Sequence, residues 1–259
     1  NRRRDELGDL SRSLEEMTRK LRGHTEFVES FASDISHELG NPLASIRSAA
    51  EMIPLSGSAE DRDRFLSLIQ KEVQRMQRLL GAVREISLLD ARMDGEARTP
   101  VRVDRIVSQV LEARSLRGDS EISVRLVERS DPVTLAMAPE RLTQIIENLL
   151  ENALGFAAGE VRIELSRAGG CCVVGFEDDG PGIPKEHLSK IFDRFFSYRP
   201  DEPCGGEGRG SPDHLGLGLA IVKAVAEGYG GAVEAHNGIP HEGRLKGAHI
   251  IVRIPLTGQ

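Results

Sequence analysis

The chain reads as an α+β protein in two parts: a helical hairpin dimerising into a four-helix bundle, followed by an α/β layered domain. Three observations predict it. Apolar residues recur at three- and four-residue spacing as far as Val83. Beyond Thr99-Pro100 the pattern changes to short alternating strands separated by helical runs. The chain's 27 glycines gather late, where turns and loops are needed.

The first helix carries Leu7, Leu10, Leu14, Met17 and Leu21, a heptad seam with Arg and Glu in the other positions. The seam resumes at Val28, Phe31 and Ile35, then shifts phase to Leu39, Leu43, Ile46, Ala50 and Ile53. Pro54, Ser56 and Gly57 punctuate, and a second run follows Ser58 through Phe65, Ile69, Val73, Met76, Leu80 and Val83. Two such helices cannot bury both seams alone, so pairing with a second copy is the economical solution. A hairpin packed on its own domain is the alternative. In the second part, strands are expected over 121–128, 161–165, 172–176 and 250–254. Helices are expected over 103–116, 139–154, 185–192 and 217–228. Residues 198–214 hold three prolines and four glycines and are expected to form a mobile loop.

Composition narrows the function. Lys and Arg total 34 against 41 Asp and Glu, a net charge of −7, which disfavours a nucleic-acid binder. Aromatics are 4% with no Trp, too few for base-stacking or carbohydrate platforms. Cys171, Cys172 and Cys204 are odd in number and lack ligand spacing, which points to a reducing compartment and away from structural zinc. No apolar run approaches the ~20 residues of a membrane span, and no signal peptide is present. With its first residues already in mid-helix, the chain is expected to be the cytoplasmic part of something longer.

Chemistry on the first helix centres on His37. It lies two residues past an a position, on the outer flank, where an imidazole can act as a nucleophile without disturbing a core. Asn41 shares its face. Pro42 removes a donor that would bond back to Glu38, so a bend is expected beside the phase slip. On these residues alone, a solvated surface histidine next to a tolerated proline fits equally well.

The run Ser36-His37-Glu38-Leu39-x-Asn41-Pro42-Leu43 resembles the phospho-acceptor motif of sensor histidine kinases of two-component systems. Asp5 to Leu10, with Met17, is similar to the end of a HAMP signalling domain. The resemblance implies that His37 is autophosphorylated, that Glu38 polarises the opposite ring nitrogen as general base, and that Asn41 orients water for dephosphorylating the partner. Family members more often carry a basic residue where this chain has Gly40.

Further on, Asn148 and Asn152 stand at i and i+4 on one helical face, and amide oxygens suit a hard cation such as magnesium. Two asparagines on a helix are also what a plain solvated face carries. The strand over 172–176 runs into Asp178-Asp179-Gly180-Pro181-Gly182-Ile183. A carboxylate there can accept from an adenine amino group while the glycines let backbone approach the base; alternatively this is a simple Gly-Pro turn. Gly216-Leu217-Gly218-Leu219 opens an apolar helix, and glycines at a helix N-terminus expose N–H groups to phosphate. It fits neither a Walker loop nor a Rossmann fingerprint, and alone it could be a close-packed helix start.

Taken in order with Ile191–Phe196, these motifs resemble the ATP-binding domain shared by histidine kinases, gyrase, Hsp90-type chaperones and MutL-type proteins. The family implies an α/β sandwich that binds ATP under a lid, here 197–215. By that resemblance Asn148 and Asn152 hold Mg²⁺, Asp178 reads adenine, and Gly180, Gly182 and Ile183 line the base pocket with Phe156. Gly216, Leu217, Gly218 and Leu219 meet the phosphates, Arg194 faces phosphate, and Phe195 and Phe196 dock the lid. Two departures stand out. Gly155 occupies the place of a common phosphate-binding Lys, for which Arg194, Arg199 or Arg209 would compensate, and His214 replaces the first glycine of the phosphate motif.

The expected organisation is therefore 1–22 as the end of HAMP, 23–95 as the dimerisation and phosphotransfer hairpin, and 96–259 as the ATP-binding domain. The expected function is ATP-dependent autophosphorylation of His37 with transfer to an aspartate of a response-regulator receiver, together with regulator phosphatase activity. Homodimerisation, no nucleic-acid partner, and attachment to a bacterial inner membrane only through segments outside this chain complete the expectation. A nucleotide-binding-impaired scaffold is the alternative, and a chaperone-like ATP machine ranks below it because it gives no role to the histidine motif.

Overall fold

The structure is a computed structural model that describes Thr18 and residues 31–92, 96–115, 122–128, 131–198, 216–238 and 246–256. The Leu7–Leu21 seam, Val28, Cys204, Arg199, Arg209, His214 and nearly all of the lid fall outside those residues. The chain divides into two compact units, Asn1–Val83 and Arg84–Gln259. Among the described residues, no helix is long and apolar enough to cross a membrane.

In the first unit, helix α1 is described over 31–52 and remains helical through Pro42, which is buried. A short 3-10 turn, Ile53–Leu55, contains Pro54, and Ser56 closes it by donating its hydroxyl to Ile53 O at 2.6 Å. Helix α2 (Ala59–Arg92) starts on an N-cap serine, Ser58. Asp61 N–H donates to Ser58 Oγ at 3.0 Å, and that hydroxyl donates to Asp61 Oδ2 at 2.8 Å. The apolar residues of the hairpin do not all face inward. Phe31, Ala49 and Leu79 are buried, whereas Leu43, Leu66, Val73 and Leu80 are exposed. The seam residues Ile46, Phe65, Ile69 and Met76 lie between these extremes, half-buried.

In the second unit, β1 (Thr99–Arg102) pairs antiparallel with β3 (Thr134–Met137) as a small ribbon. The main sheet has β2 (Ser123–Glu128), β4 (Glu160–Ala168), β5 (Cys171–Asp178), β6 (Ala232–Asn237) and β7 (Ala248–Pro255) in the order β2-β4-β5-β7-β6. Only β2 with β4 is parallel. One face buries Val161, Ile163, Val174, Phe176, Ile250 and Val252, every second residue of three adjacent strands. The apolar sides of helices α4 (Pro139–Phe156) and α5 (Gly218–Gly228) supply the other half of the core through Leu142, Ile145, Leu149, Ile221, Val222 and Val225. Helix α3 (Val103–Ser115) joins them through Val103 and Val107. Arg141 grips Glu96 through Nε at 3.0 and 3.1 Å, which ties the start of this unit to α4.

Two expectations need correction. The helix expected over 185–192 is a string of turns, because i+3 bonds dominate after Pro184: His187 N–H to Pro184 O, Lys190 N–H to His187 O and Asp193 N–H to Lys190 O. Strands β1, β3 and β6 were not expected. Two are only four residues long, and β6 is an edge strand whose Glu234, His236 and Asn237 are exposed, so none carries a strong alternating apolar signal.

Candidate functional site

Three consecutive acids end β5, and the two-residue period of a strand gives them different surroundings. Glu177 points away from the helices, where its carboxylate lies 3.6 Å from both Arg162 Nη1 and His249 Nδ1. Asp178 continues the core register and is 3% exposed. Its Oδ1 accepts from Gly180 N–H at 2.9 Å and Ala248 N–H at 3.1 Å. Burial pushes this carboxyl above its ordinary value, and those two donors offset only part of the shift. Asp179 turns back to accept from Ala158 and Gly159 N–H at 2.7 and 3.0 Å. Burial alone would raise Asp179, but the surrounding backbone donors hold it below the usual carboxylate range.

Close backbone approach explains the glycines after Asp178. A Cβ on Gly180 would overlap the carbonyl of Phe156, which is half-buried at the end of α4. Gly182 has φ +78°, the left-handed region, and a Cβ there would come within 2.9 Å of Asn237 Oδ1. Ile183, half-buried, is bonded on both sides of its peptide to that same Asn237 amide. Gly247 is a site residue that sequence reasoning missed. Its N–H donates to Asp178 O at 2.9 Å, and a side chain on it would collide with Asp178 Oδ1. The available signal was a glycine placed directly before a buried strand.

A second cluster forms where α4 meets the start of α5. Asn148 and Asn152 are both half-buried on one face of α4. Asn148 Nδ2 donates to Gln144 O at 2.9 Å, so its donor end is committed to its own helix. Its Oδ1 faces Gly218, where a Cβ would approach to 2.9 Å. The N-cap of α5, Leu217, makes no side-chain capping bond, and the first N–H groups of the helix, at the positive end of its dipole, lie beside that amide oxygen. Leu217 itself is buried in the core, and Leu219 is half-buried. Gly216 has φ +65°, and a Cβ there would also strike the backbone of Phe195 and Phe196, so only glycine fits. Arg194 is half-buried beside them. His187 packs its ring against Phe196 and Tyr198, with centroids 5.3 and 4.7 Å apart.

Among the described residues, no group of three or more His, Cys, Asp or Glu side chains could hold a metal unaided. With its Nδ2 committed to Gln144 O, Asn148 has its Oδ1 as the atom that could hold a hard cation shared with an anionic ligand.

In the first unit His37 and Asn41 are both exposed, one turn apart on α1. Glu38 is half-buried and lies 3.3 Å from Arg75 Nη2 on α2. The histidine thus stands at the surface, while its acidic neighbour is steadied by the partner helix.

Comparison with known proteins matches a family to each part of the chain. Residues 28–92 match the His Kinase A (phospho-acceptor) domain, and residues 137–258 match the histidine kinase-, DNA gyrase B- and HSP90-like ATPase family. The sensor protein ChvG of Rhizobium meliloti (strain 1021) is 36% identical over 98% of this chain, and the chain spans 44% of its length. The histidine kinase AdeS of Acinetobacter baumannii shares the fold with a TM-score of 0.62 at 23% identity, covering 86% of this chain and 98% of that one. Full-length ShkA, crystallised in complex with AMPPNP, aligns with a TM-score of 0.53 at 27% identity over 88% of this chain and 45% of its own. With a phospho-acceptor hairpin ahead of an ATPase-type sandwich, the chain belongs to the two-component sensor histidine kinases.

Proposed function

We propose that this chain binds ATP in its second unit, phosphorylates His37, and passes the phosphoryl group to an aspartate of a response-regulator receiver. The observation that supports this most directly is Asn148 Oδ1 facing the start of α5 at Gly218. An amide oxygen of a kind that suits a cation and a helix N-terminus of a kind that suits phosphate thus lie at one spot. Asp178 accepts from the adenine amino group, with its Oδ1 already fixed by two backbone donors. Gly180, Gly182, Ile183 and Phe156 flank the base; Gly216 to Leu219 and Arg194 meet the phosphates.

Transfer is a displacement at phosphorus. A ring nitrogen of His37 attacks the γ-phosphoryl, an N–P bond forms, the bond to the bridging oxygen breaks, and ADP leaves. Glu38 takes the proton released from the opposite ring nitrogen, and Arg75 keeps that carboxylate aimed. The protein contributes chiefly positioning and charge stabilisation. Asn148 and Asn152 would hold Mg²⁺, which neutralises phosphate charge. Asn41, one turn from His37, orients the water that dephosphorylates the regulator.

The boundaries proposed are 1–22 as the end of a HAMP segment, 23–95 as the hairpin and 96–259 as the ATP-binding domain. The exposed Leu43, Leu66, Val73 and Leu80 pair with a second copy, giving a homodimeric four-helix bundle. Membrane attachment belongs to chain beyond these residues, with this part on the cytoplasmic side.

Incubating the 259-residue chain with γ-labelled ATP and magnesium tests the reading. Acid-labile, base-stable label is expected and is lost in His37→Gln; label that persists in that variant removes His37 from its role. The scaffold alternative, raised by Gly155 and His214, predicts no stabilisation by ATP, whereas binding to the native state alone must raise the unfolding midpoint.

A further inference from the structure

Asn237, the last residue of edge strand β6, makes a two-point side-chain contact with the backbone after β5. Its Oδ1 accepts from Ile183 N–H at 2.7 Å, and its Nδ2 donates to Ile183 O at 2.7 Å. The amide thereby imitates one rung of a β-ladder and adds Ile183 to the sheet edge. Both bonds are exposed to solvent, where water would satisfy the same peptide groups at little cost. Rescue of buried polar atoms is therefore not their purpose. What they do is fix the position of residues 182 and 183.

Gly182 is shaped to allow it. Its left-handed φ turns the chain toward β6, and the missing Cβ leaves room for Asn237 Oδ1 at its Cα. The neighbouring bonds complete a closed circuit. Gly238 N–H donates to Gly247 O at 2.8 Å, Gly247 N–H to Asp178 O at 2.9 Å, and Ala248 N–H to Asp178 Oδ1 at 3.1 Å. The two ends of the β6–β7 connection thus hold the loop after β5 from both sides, one at Asp178 and the other at Ile183.

We propose that Asn237 is a positioning residue for nucleotide binding: it sets the distance between the Asp178 carboxylate and the Gly182–Ile183 backbone, and so the width of the slot that receives a purine. The inference rests on the ATP reading above and adds to it a residue that never touches the phosphates. Loss of the amide leaves the loop free to widen, which weakens binding of the base without altering the chemistry at the γ-phosphoryl.

The test uses the full chain, a fluorescent adenine nucleotide with magnesium, and two variants. Asn237→Ala removes both bonds. Asn237→Asp keeps the size and the acceptor but sets an oxygen against Ile183 O. Both are expected to raise the nucleotide Kd and the KM for ATP roughly tenfold while kcat stays within about twofold. Hydrogen exchange of the Ile183 amide should accelerate in Asn237→Ala without nucleotide present. Unchanged Kd in both variants overturns this inference alone. A drop in kcat at unchanged KM overturns it too, as does a loss of affinity fully accounted for by a lower unfolding midpoint of the nucleotide-free chain. If the unaltered chain binds no nucleotide, the ATP reading falls and this inference with it.

Discussion

The two units solve the burial problem in opposite ways. In the sandwich, alternate residues of three strands and the inner sides of α4 and α5 close on one another, and Leu142, Ile145, Ile146 and Leu149 are fully buried within a single chain. In the hairpin, Leu80 is 54% exposed and Leu43 53%, although Leu79 next door is completely buried. Domains finish their cores alone; an amphipathic pair with a broad apolar face does so only by association. The difference separates the two parts: the sandwich completes its core within one chain, whereas the hairpin that carries His37 leaves large apolar side chains on its surface.

The comparison breaks most visibly at Leu149. Leu149→Ala empties a site in the middle of the sandwich and should cost about 3 kcal/mol, read as a shift in urea midpoint that is the same at every protein concentration. A cost that varies with concentration would mean that this core is completed between chains. Leu80→Gln sharpens the other side. Glutamine matches leucine in helix propensity, so an isolated hairpin should lose less than about 0.5 kcal/mol. If a second copy buries Leu80, the loss is about 1.5–3 kcal/mol per chain and disappears on dilution below the dimer's dissociation constant. A small, concentration-independent change would refute the bundle.

These contrasts also explain what the sequence revealed. The seam from Leu39 to Ala50 and from Phe65 to Val83 announced two amphipathic helices, and Ser58 marked where the second begins. It could not announce that the faces divide, because a three-four repeat does not say which of two adjacent residues, Leu79 or Leu80, packs inside the hairpin. In the sandwich, 161–165, 172–176 and 250–254 alternate strongly and were legible, whereas β1 and β3 are only four residues long and β6 buries no residue fully. The motif residues Asn148, Asp178, Gly180 and Gly216 were legible by type and order. Gly247 and Asn237 were not. Their positions beside Asp178 and Ile183 follow from the registers of β7 on β5 and of β6 on β7, a tertiary fact with little local trace.

The smallest effect on the unliganded chain, and the one with an inverted sign, belongs to Asp178. Because burial raises its pKa, the folded chain binds this proton more tightly than the unfolded chain. Between the ordinary aspartate value and the raised one, stability therefore falls as pH rises, and the penalty persists at neutral pH. Asp178→Asn retains an oxygen for Gly180 and Ala248 N–H without the buried charge. Its unfolding midpoint at pH 7 should equal or slightly exceed that of the unaltered chain, with the difference closing as pH drops from the raised value to the ordinary one. Adenine, however, would now meet an amide donor where it needs an acceptor, so the rise in midpoint on adding ATP and magnesium should vanish. Asp179 behaves in the opposite way: its lowered pKa contributes stability above the usual carboxylate range that is lost as pH falls through the folded value. A chain with Asp178→Asn that is destabilised at pH 7 yet still stabilised by ATP would show that the buried carboxylate holds up the fold and that another group reads the base.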